Sequence, residues 1–109
     1  MQVGKDLFLF STKIKNIDNF INHSCNPNAY VYIKNPAQVF LVALKNIKMG
    51  QEITFDYSTT MYNDKWIAKC NCKSKLCRGV IKEFKYLPLK IKKKYYKKSI
   101  LPKYILEQF

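Results

Sequence analysis

Four cysteines carry the most specific chemistry in this chain. Three lie in the run Cys70-Asn71-Cys72-Lys73-Ser74-Lys75-Leu76-Cys77, a C-x-C-x4-C spacing, and Cys25 is the only other. Zinc takes four tetrahedral ligands, with thiolate sulfur at about 2.3 Å, and closely spaced thiolates on a loop supply three corners without regular secondary structure. The fourth ligand must come from a distance, and Cys25 is the thiol that remains. Lys69, Lys73, Lys75 and Arg78 flank the run and offset the negative charge of a zinc ion held by four thiolates. His23, the only histidine, is so near Cys25 in sequence that both could ligate only under strain. The expected ligand set is therefore Cys25, Cys70, Cys72 and Cys77. Free buried thiols or a redox pair are the competing readings.

Cys25 itself lies in Asn22-His23-Ser24-Cys25-Asn26-Pro27-Asn28. Proline fixes φ and asparagine side chains bond nearby backbone, so this stretch reads as a polar turn. Around it the elements are short. Leu7-Phe8-Leu9-Phe10 suits a strand buried on both faces. Ile14, Ile17, Phe20 and Ile21 fall at helical spacing. Ala29 to Ile33 reads as a strand with Tyr30 and Tyr32 on one face, Lys34-Asn35-Pro36 as a turn, and Val39 to Leu44 as a second strand. A polar turn ending at Gly50 follows, and Glu52 to Tyr57 alternates as a third strand or extended segment. Ser58 to Asp64 reads as a polar turn, with a brief apolar patch at Trp66, Ile67 and Ala68 before the cysteines.

At 109 residues, 48% of them hydrophobic, the chain is at most one domain with a modest core. Twenty basic residues against seven acidic give a formal charge of +13, which favours a polyanionic partner without choosing which. All but Arg78 of the basic residues are lysine, which argues against base readout, where arginine forks dominate. No apolar run is long enough for a transmembrane helix, and no signal peptide is recognisable. An intracellular location, cytoplasmic or nuclear, is expected, and reducing compartments favour metal-bound cysteines over disulfides.

Three of these segments together carry a family resemblance. Asn22-His23-Ser24-Cys25-Asn26-Pro27-Asn28 resembles the N-H-S-C-x-P-N motif of SET-domain protein-lysine methyltransferases. Gly50-Gln51-Glu52-Ile53-Thr54-Phe55-Asp56-Tyr57 is similar to their G-E-E-[IL]-T-F-D-Y motif, with Gln51 in place of the first Glu. Cys70 to Gly79 resembles the post-SET C-x-C-x4-C-x-G motif. The motifs stand in family order, and the resemblance covers roughly residues 7 to 85.

The resemblance implies a mainly β fold: the C-terminal half of a SET domain (a β-clip), with a knot-like core, a zinc-bound post-SET loop and a short C-terminal helical tail. It divides the chain into a partial SET domain over 1–68, a zinc-binding segment over 69–85 and a basic tail over 86–109. It implies S-adenosylmethionine as cofactor and a protein lysine, histone among the candidates, as substrate. Asn22 and His23 would line the cofactor pocket, His23 through its backbone. Tyr57 would be the active-site tyrosine near the transferring methyl, and Phe55 would influence how many methyl groups are added. Leu76 would pack over the cofactor, and the four cysteines would bind the post-SET zinc.

Physical chemistry agrees with these residue types. The lysine amine must be neutral to attack, although its ordinary pKa is about 10.4. A water-poor aromatic channel lowers that value by desolvation. Alignment of the reactants can supply roughly 7–11 kcal/mol, so no acid–base triad is required.

The chain departs from the family pattern before Asn22, where nothing resembles the first half of a SET domain. That half contributes to the cofactor site and lysine channel, so weak or absent activity is expected of this polypeptide alone. A homodimer or a complementing N-terminal half would supply it. In the tail, Pro88 and Pro102 can each open a helix, with Leu89, Ile91, Tyr95 and Tyr96 and then Tyr104, Ile105 and Phe109 as apolar positions. The lysines between them suit nucleic acid or a nucleosome surface, or else a solvated helix packed by its Tyr/Ile side. The alternative functions are a non-catalytic zinc-binding interaction module and a basic nucleic-acid-binding protein.

Overall fold

The largest pairing is an antiparallel hairpin of β4 (Ala29–Asn35) and β5 (Gln38–Ala43), seen in a computed structural model that describes residues 1–8 and 21–108. Its turn is built by Asn35, whose Oδ1 accepts the Ala37 amide at 2.9 Å and whose Nδ2 donates to Gln38 Oε1 at 2.8 Å. Alternation along β4 buries Ala29 and Val31, and Tyr32 pairs across to Phe40 with rings edge to face at 6.1 Å. The other pairings are short. β1 (Gln2–Gly4) and β2 (Leu7–Phe8) are antiparallel, β3 (Asn22–His23) and β6 (Thr54–Phe55) are parallel, and β7 (Ala68–Lys69) and β8 (Val80–Ile81) are antiparallel. The architecture is mainly β, with the helices at the C-terminal end.

Those helices open where the prolines mark them. α1 spans Leu89–Lys97 with Pro88 as N-cap, and α2 spans Lys103–Leu106 with Pro102 as N-cap. Their apolar side forms the larger buried cluster: Phe84, Leu87, Tyr95, Ile100, Leu101, Tyr104 and Ile105, against Tyr30, Ile33, Leu44 and Tyr62 of the β region. Leu89 and Tyr96, expected on that side, are exposed. The smaller cluster is Cys25, Met61, Cys70 and Ile81.

Several expectations need correction. Leu7 and Phe8 are exposed, not buried on both faces, because β2 has only β1 as a partner among the described residues. Leu9, Phe10 and the proposed helix positions Ile14, Ile17 and Phe20 lie outside the described residues, as does Phe109. The strand expected over Glu52 to Tyr57 pairs only at Thr54–Phe55, because Asp56 caps a 3-10 turn over Tyr57–Thr60. Ser58, Thr59 and Thr60 in that turn are buried rather than solvated. Their hydroxyls are satisfied locally: Ser58 Oγ donates to Lys82 O at 2.6 Å and Thr59 Oγ1 to Asp56 O at 2.7 Å. β1 was not expected. It is held by the buried Gln2 side chain, which accepts the Tyr62 amide at 2.6 Å and donates back to Tyr62 O at 2.8 Å.

Candidate active site and cysteine centre

Asn22, His23, Ser24 and Asn28 each have a structural task. Asn22 and His23 form β3, in register with Thr54 and Phe55, and the Ser24 amide extends the pairing to Phe55 O at 3.1 Å. Ser24 Oγ accepts the Asn26 amide at 3.0 Å and so makes the turn. Asn28, buried, reaches across to the second motif. Its Nδ2 donates to Glu52 O at 2.8 Å and its Oδ1 accepts the Thr54 amide at 2.9 Å. Gly50, at φ +80°, turns the chain into that motif and closes a Lys48–Gln51 bond of 3.0 Å, a backbone angle that favours glycine.

The pairing delivers Tyr57 beside His23. His23 Nδ1 accepts the Tyr57 amide at 3.0 Å, so the ring proton belongs on Nε2, which lies 3.3 Å from Cys25 Sγ. Burial keeps the His23 pKa below its ordinary value, outweighing the opposing pull of Asp56. The neutral tautomer therefore links the tyrosine loop to the sulfur cluster. Tyr57 Oη donates to Ile21 O at 2.5 Å. Burial, then the charge of Glu52, raises its pKa, which keeps the phenol protonated at neutral pH. Phe55 stands 4.9 Å from the Tyr57 ring and Trp66 6.3 Å from it.

Two clefts meet at this tyrosine. The larger, of about 480 Å³, is lined by Asn22, His23, Glu52, Thr54 and Tyr57, with Lys69 and Lys73 from the cysteine segment. The other, of about 260 Å³, is lined by Gln2, Phe55, Tyr57, Asp64 and Trp66 among others. Among the described residues, Tyr57 is the one that lines both. Strand alternation sorts the neighbours: Thr54 faces the first cleft and Phe55 the second. Leu76 is exposed on the loop before Cys77 and lines neither.

Behind Tyr57 is a fully buried carboxylate. Asp56 accepts from Arg78 Nη2 at 2.8 Å, from the Ser58 amide at 3.0 Å and from Tyr95 Oη at 2.8 Å. Arg78 also donates its backbone amide to Cys25 Sγ at 3.4 Å. The sole arginine thus joins the cysteine loop to the tyrosine loop, and Tyr95 ties α1 to the same carboxylate. Sequence reasoning had placed Arg78 only as a counter-charge and Tyr95 only as a helix position. Trp66, Glu52 and Asp64 line the clefts, although no motif assigned them to the site. A single arginine among lysines was the available signal, since a planar guanidinium suits a buried ion pair.

The four cysteine sulfurs lie within 4.8 Å of one another, and none forms a disulfide. Cys25 and Cys70 sulfurs are 3.7 Å apart, close to the roughly 3.8 Å edge of a tetrahedron with 2.3 Å Zn–S bonds. β7 and β8 close the base of the loop, and the Cys70 amide donates to Gly79 O at 3.1 Å. Against desolvation, backbone amides of Cys25 and Ser74 and the neighbouring thiols hold the Cys72 pKa down to about 6. Burial instead pushes Cys25 up to about 12. Four sulfurs so disposed, with amides aimed at them, fit a tetrahedral thiophilic cation.

Paired motifs, a shared tyrosine and a cysteine knuckle are the arrangement of a SET domain with its post-SET segment. Residues 5–58 match the SET domain family. Over 83 residues the chain is 34% identical to the histone-lysine N-methyltransferase SETD1B of Homo sapiens, covering 73% of this chain and 4% of that protein. It is 39% identical over 74 residues to the histone-lysine N-methyltransferase set-2 of Caenorhabditis elegans, covering 65% and 5%. It is 40% identical over 65 residues to an H3 lysine-36 specific histone-lysine N-methyltransferase of Debaryomyces hansenii, covering 57% and 9%. The chain belongs to the SET-domain family. It spans between 4% and 9% of the length of these curated relatives.

Proposed function

We propose that this chain serves methyl transfer from S-adenosylmethionine to a protein lysine, with histones as the substrate class and the nucleus as the place of action. The observation that carries this reading is the sharing of Tyr57 by two otherwise separate clefts. A transfer between two substrates needs both to reach one point, and alignment at that point can supply most of the rate.

When bound, S-adenosylmethionine supplies an electron-poor methyl on a sulfonium. Asn22, held by its 3.1 Å bond to Glu52, and the His23 backbone would hold it in the larger cleft. Glu52 places a carboxylate in that cleft, which Lys69 and Lys73 also line, offering partners for both a cationic and an anionic group of one ligand. Phe55, Tyr57 and Trp66 make the second cleft aromatic, and Asp64 gives it one carboxylate. Such walls attract a lysine ammonium through its charge and, once water is excluded, favour the neutral amine. Tyr57 orients the acceptor nitrogen with its hydroxyl, which Ile21 O already fixes. Phe55 limits the room beside it. Cys25, Cys70, Cys72 and Cys77 would hold zinc as a structural ion that fixes the floor of the larger cleft, to which Cys70 and Cys72 belong.

The test is transfer of labelled methyl groups to histones by the zinc-loaded chain over a range of protein concentrations. The range separates transfer by a single chain from transfer that needs a second copy. The reading expects incorporation to fall at least about tenfold in Tyr57→Phe. Incorporation unchanged by that substitution would refute the role given to Tyr57.

A further inference from the structure

We propose that the outer face of α1 is a docking surface for the phosphate backbone of nucleic acid, read without regard to sequence. The proposal stands apart from the chemistry assigned to the clefts. Tyr95 fixes the rotation of the helix, since it is buried with its hydroxyl on Asp56 at 2.8 Å, and Ile91 packs on the same core. That leaves Lys90, Lys93, Lys94 and Lys97 exposed at helical spacing, one stripe roughly 10 Å long at 1.5 Å per residue. Lys92 is excluded from it: its ammonium turns back to Lys85 O at 2.8 Å and lies over the Phe84 ring.

No acidic residue occurs between Glu83 and Glu107, so nothing along this segment balances the stripe. Like charges at these spacings repel, and a polyanion relieves the repulsion. Lysine ammonium groups are point charges that suit phosphate rather than base edges, which makes the contact one of backbone charge. Four cations within roughly 10 Å meet the dense charge of a duplex, one phosphate per about 1.7 Å of axis, which favours nucleic acid.

The experiment measures binding of the zinc-loaded chain to a labelled DNA duplex of arbitrary sequence, about 20 base pairs, across roughly 50 to 200 mM salt. Two variants each lose four charges. One carries Lys90→Gln, Lys93→Gln, Lys94→Gln and Lys97→Gln; the control carries Lys34→Gln, Lys45→Gln, Lys48→Gln and Lys65→Gln, all exposed elsewhere. The proposal expects the stripe variant to bind at least about tenfold more weakly than the control and to flatten the salt slope by about 3.6, at about 0.9 for each of four lost phosphate contacts. Matching thermal melts of the two variants establish that the comparison is between folded proteins. Equal affinities would overturn the proposal in favour of diffuse charge. Absence of wild-type binding at low salt would overturn it outright. So would polyglutamate competing as well as unlabelled DNA, which would mark an acidic protein as the partner.

Discussion

Asn28 does with one side chain what a strand does with its backbone. By accepting the Thr54 amide and donating to Glu52 O, it stitches two motifs that lie far apart in sequence. Asp56 has a comparable reach. It is the meeting point of the cysteine loop, the Tyr57 turn and α1, and each of its partners depends on it. Removing one member of a buried ion pair leaves the other uncompensated, at a cost of about 3–5 kcal/mol. Asp56→Ala is therefore expected to lower the unfolding free energy by that amount, measured by denaturant melts of zinc-loaded protein. Asp56→Asn, which keeps the shape and one acceptor oxygen, should lose less. Tyr104 offers a second residue-scale test. Burial raises its pKa above the ordinary tyrosine value, and its hydroxyl donates to Gln2 O and Thr60 O. A folded pKa raised above the unfolded one gives stability that is complete below about pH 10 and is lost above it. Unfolding measured above pH 10 should fall more steeply in the wild type than in Tyr104→Phe, by about 1.4 kcal/mol per pH unit. At this scale the cysteine cluster was legible in its spacing, whereas Tyr57, one of eight tyrosines, was singled out only through the family motif that it closes. Asp56 and Tyr95 were not legible, because a buried carboxylate is recognisable only once its donors are found.

Elements were legible where local chemistry decides them. The β4–β5 hairpin follows from its Val, Ile, Tyr and Phe content around an Asn-Pro turn, and α1 and α2 from their prolines. The Glu52–Tyr57 segment misled for a physical reason. Its alternation is real, yet an Asp at position 56 whose side chain accepts the Ser58 amide ends the strand and starts a 3-10 turn. The cysteine loop has almost no regular structure of its own, only β7 and β8 at its base. Its sulfurs fit a tetrahedral ion, and metal affinity there would become folding free energy. One zinc per chain is expected by metal analysis. Chelation should lower the melting temperature and reduce protection of the Cys70 and Arg78 amides from exchange, while the β4–β5 amides stay protected. Unchanged exchange at Cys70 and Arg78 after metal removal would show that the loop is held by packing alone.

For the whole molecule, the surprise is where the larger core lies. Five of its buried residues, Tyr95, Ile100, Leu101, Tyr104 and Ile105, come from the C-terminal helical region. Each fully buried apolar side chain contributes roughly 1.5–3 kcal/mol, against a net stability of about 5–15 kcal/mol for a domain. A chain ending at Leu87 is therefore expected to lose its cooperative melt, measured by circular dichroism at equal zinc loading. If the tail were merely an appended basic arm, the melt would persist. The charge pattern already suggested an arm, because lysines dominate the tail sequence. The apolar positions at helical spacing were the better guide, and the contacts from Tyr30, Ile33, Leu44 and Tyr62 could not be inferred from spacing alone.

The central claim is that the cleft between Asn22, His23 and Tyr57 takes S-adenosylmethionine. It is tested most directly by calorimetric titration of that cofactor into folded, zinc-loaded protein, beside Asn22→Ala. The account predicts saturable binding at one site, weakened at least about tenfold by the substitution. No binding heat from the folded protein across several temperatures, or equal affinity in Asn22→Ala, would contradict it.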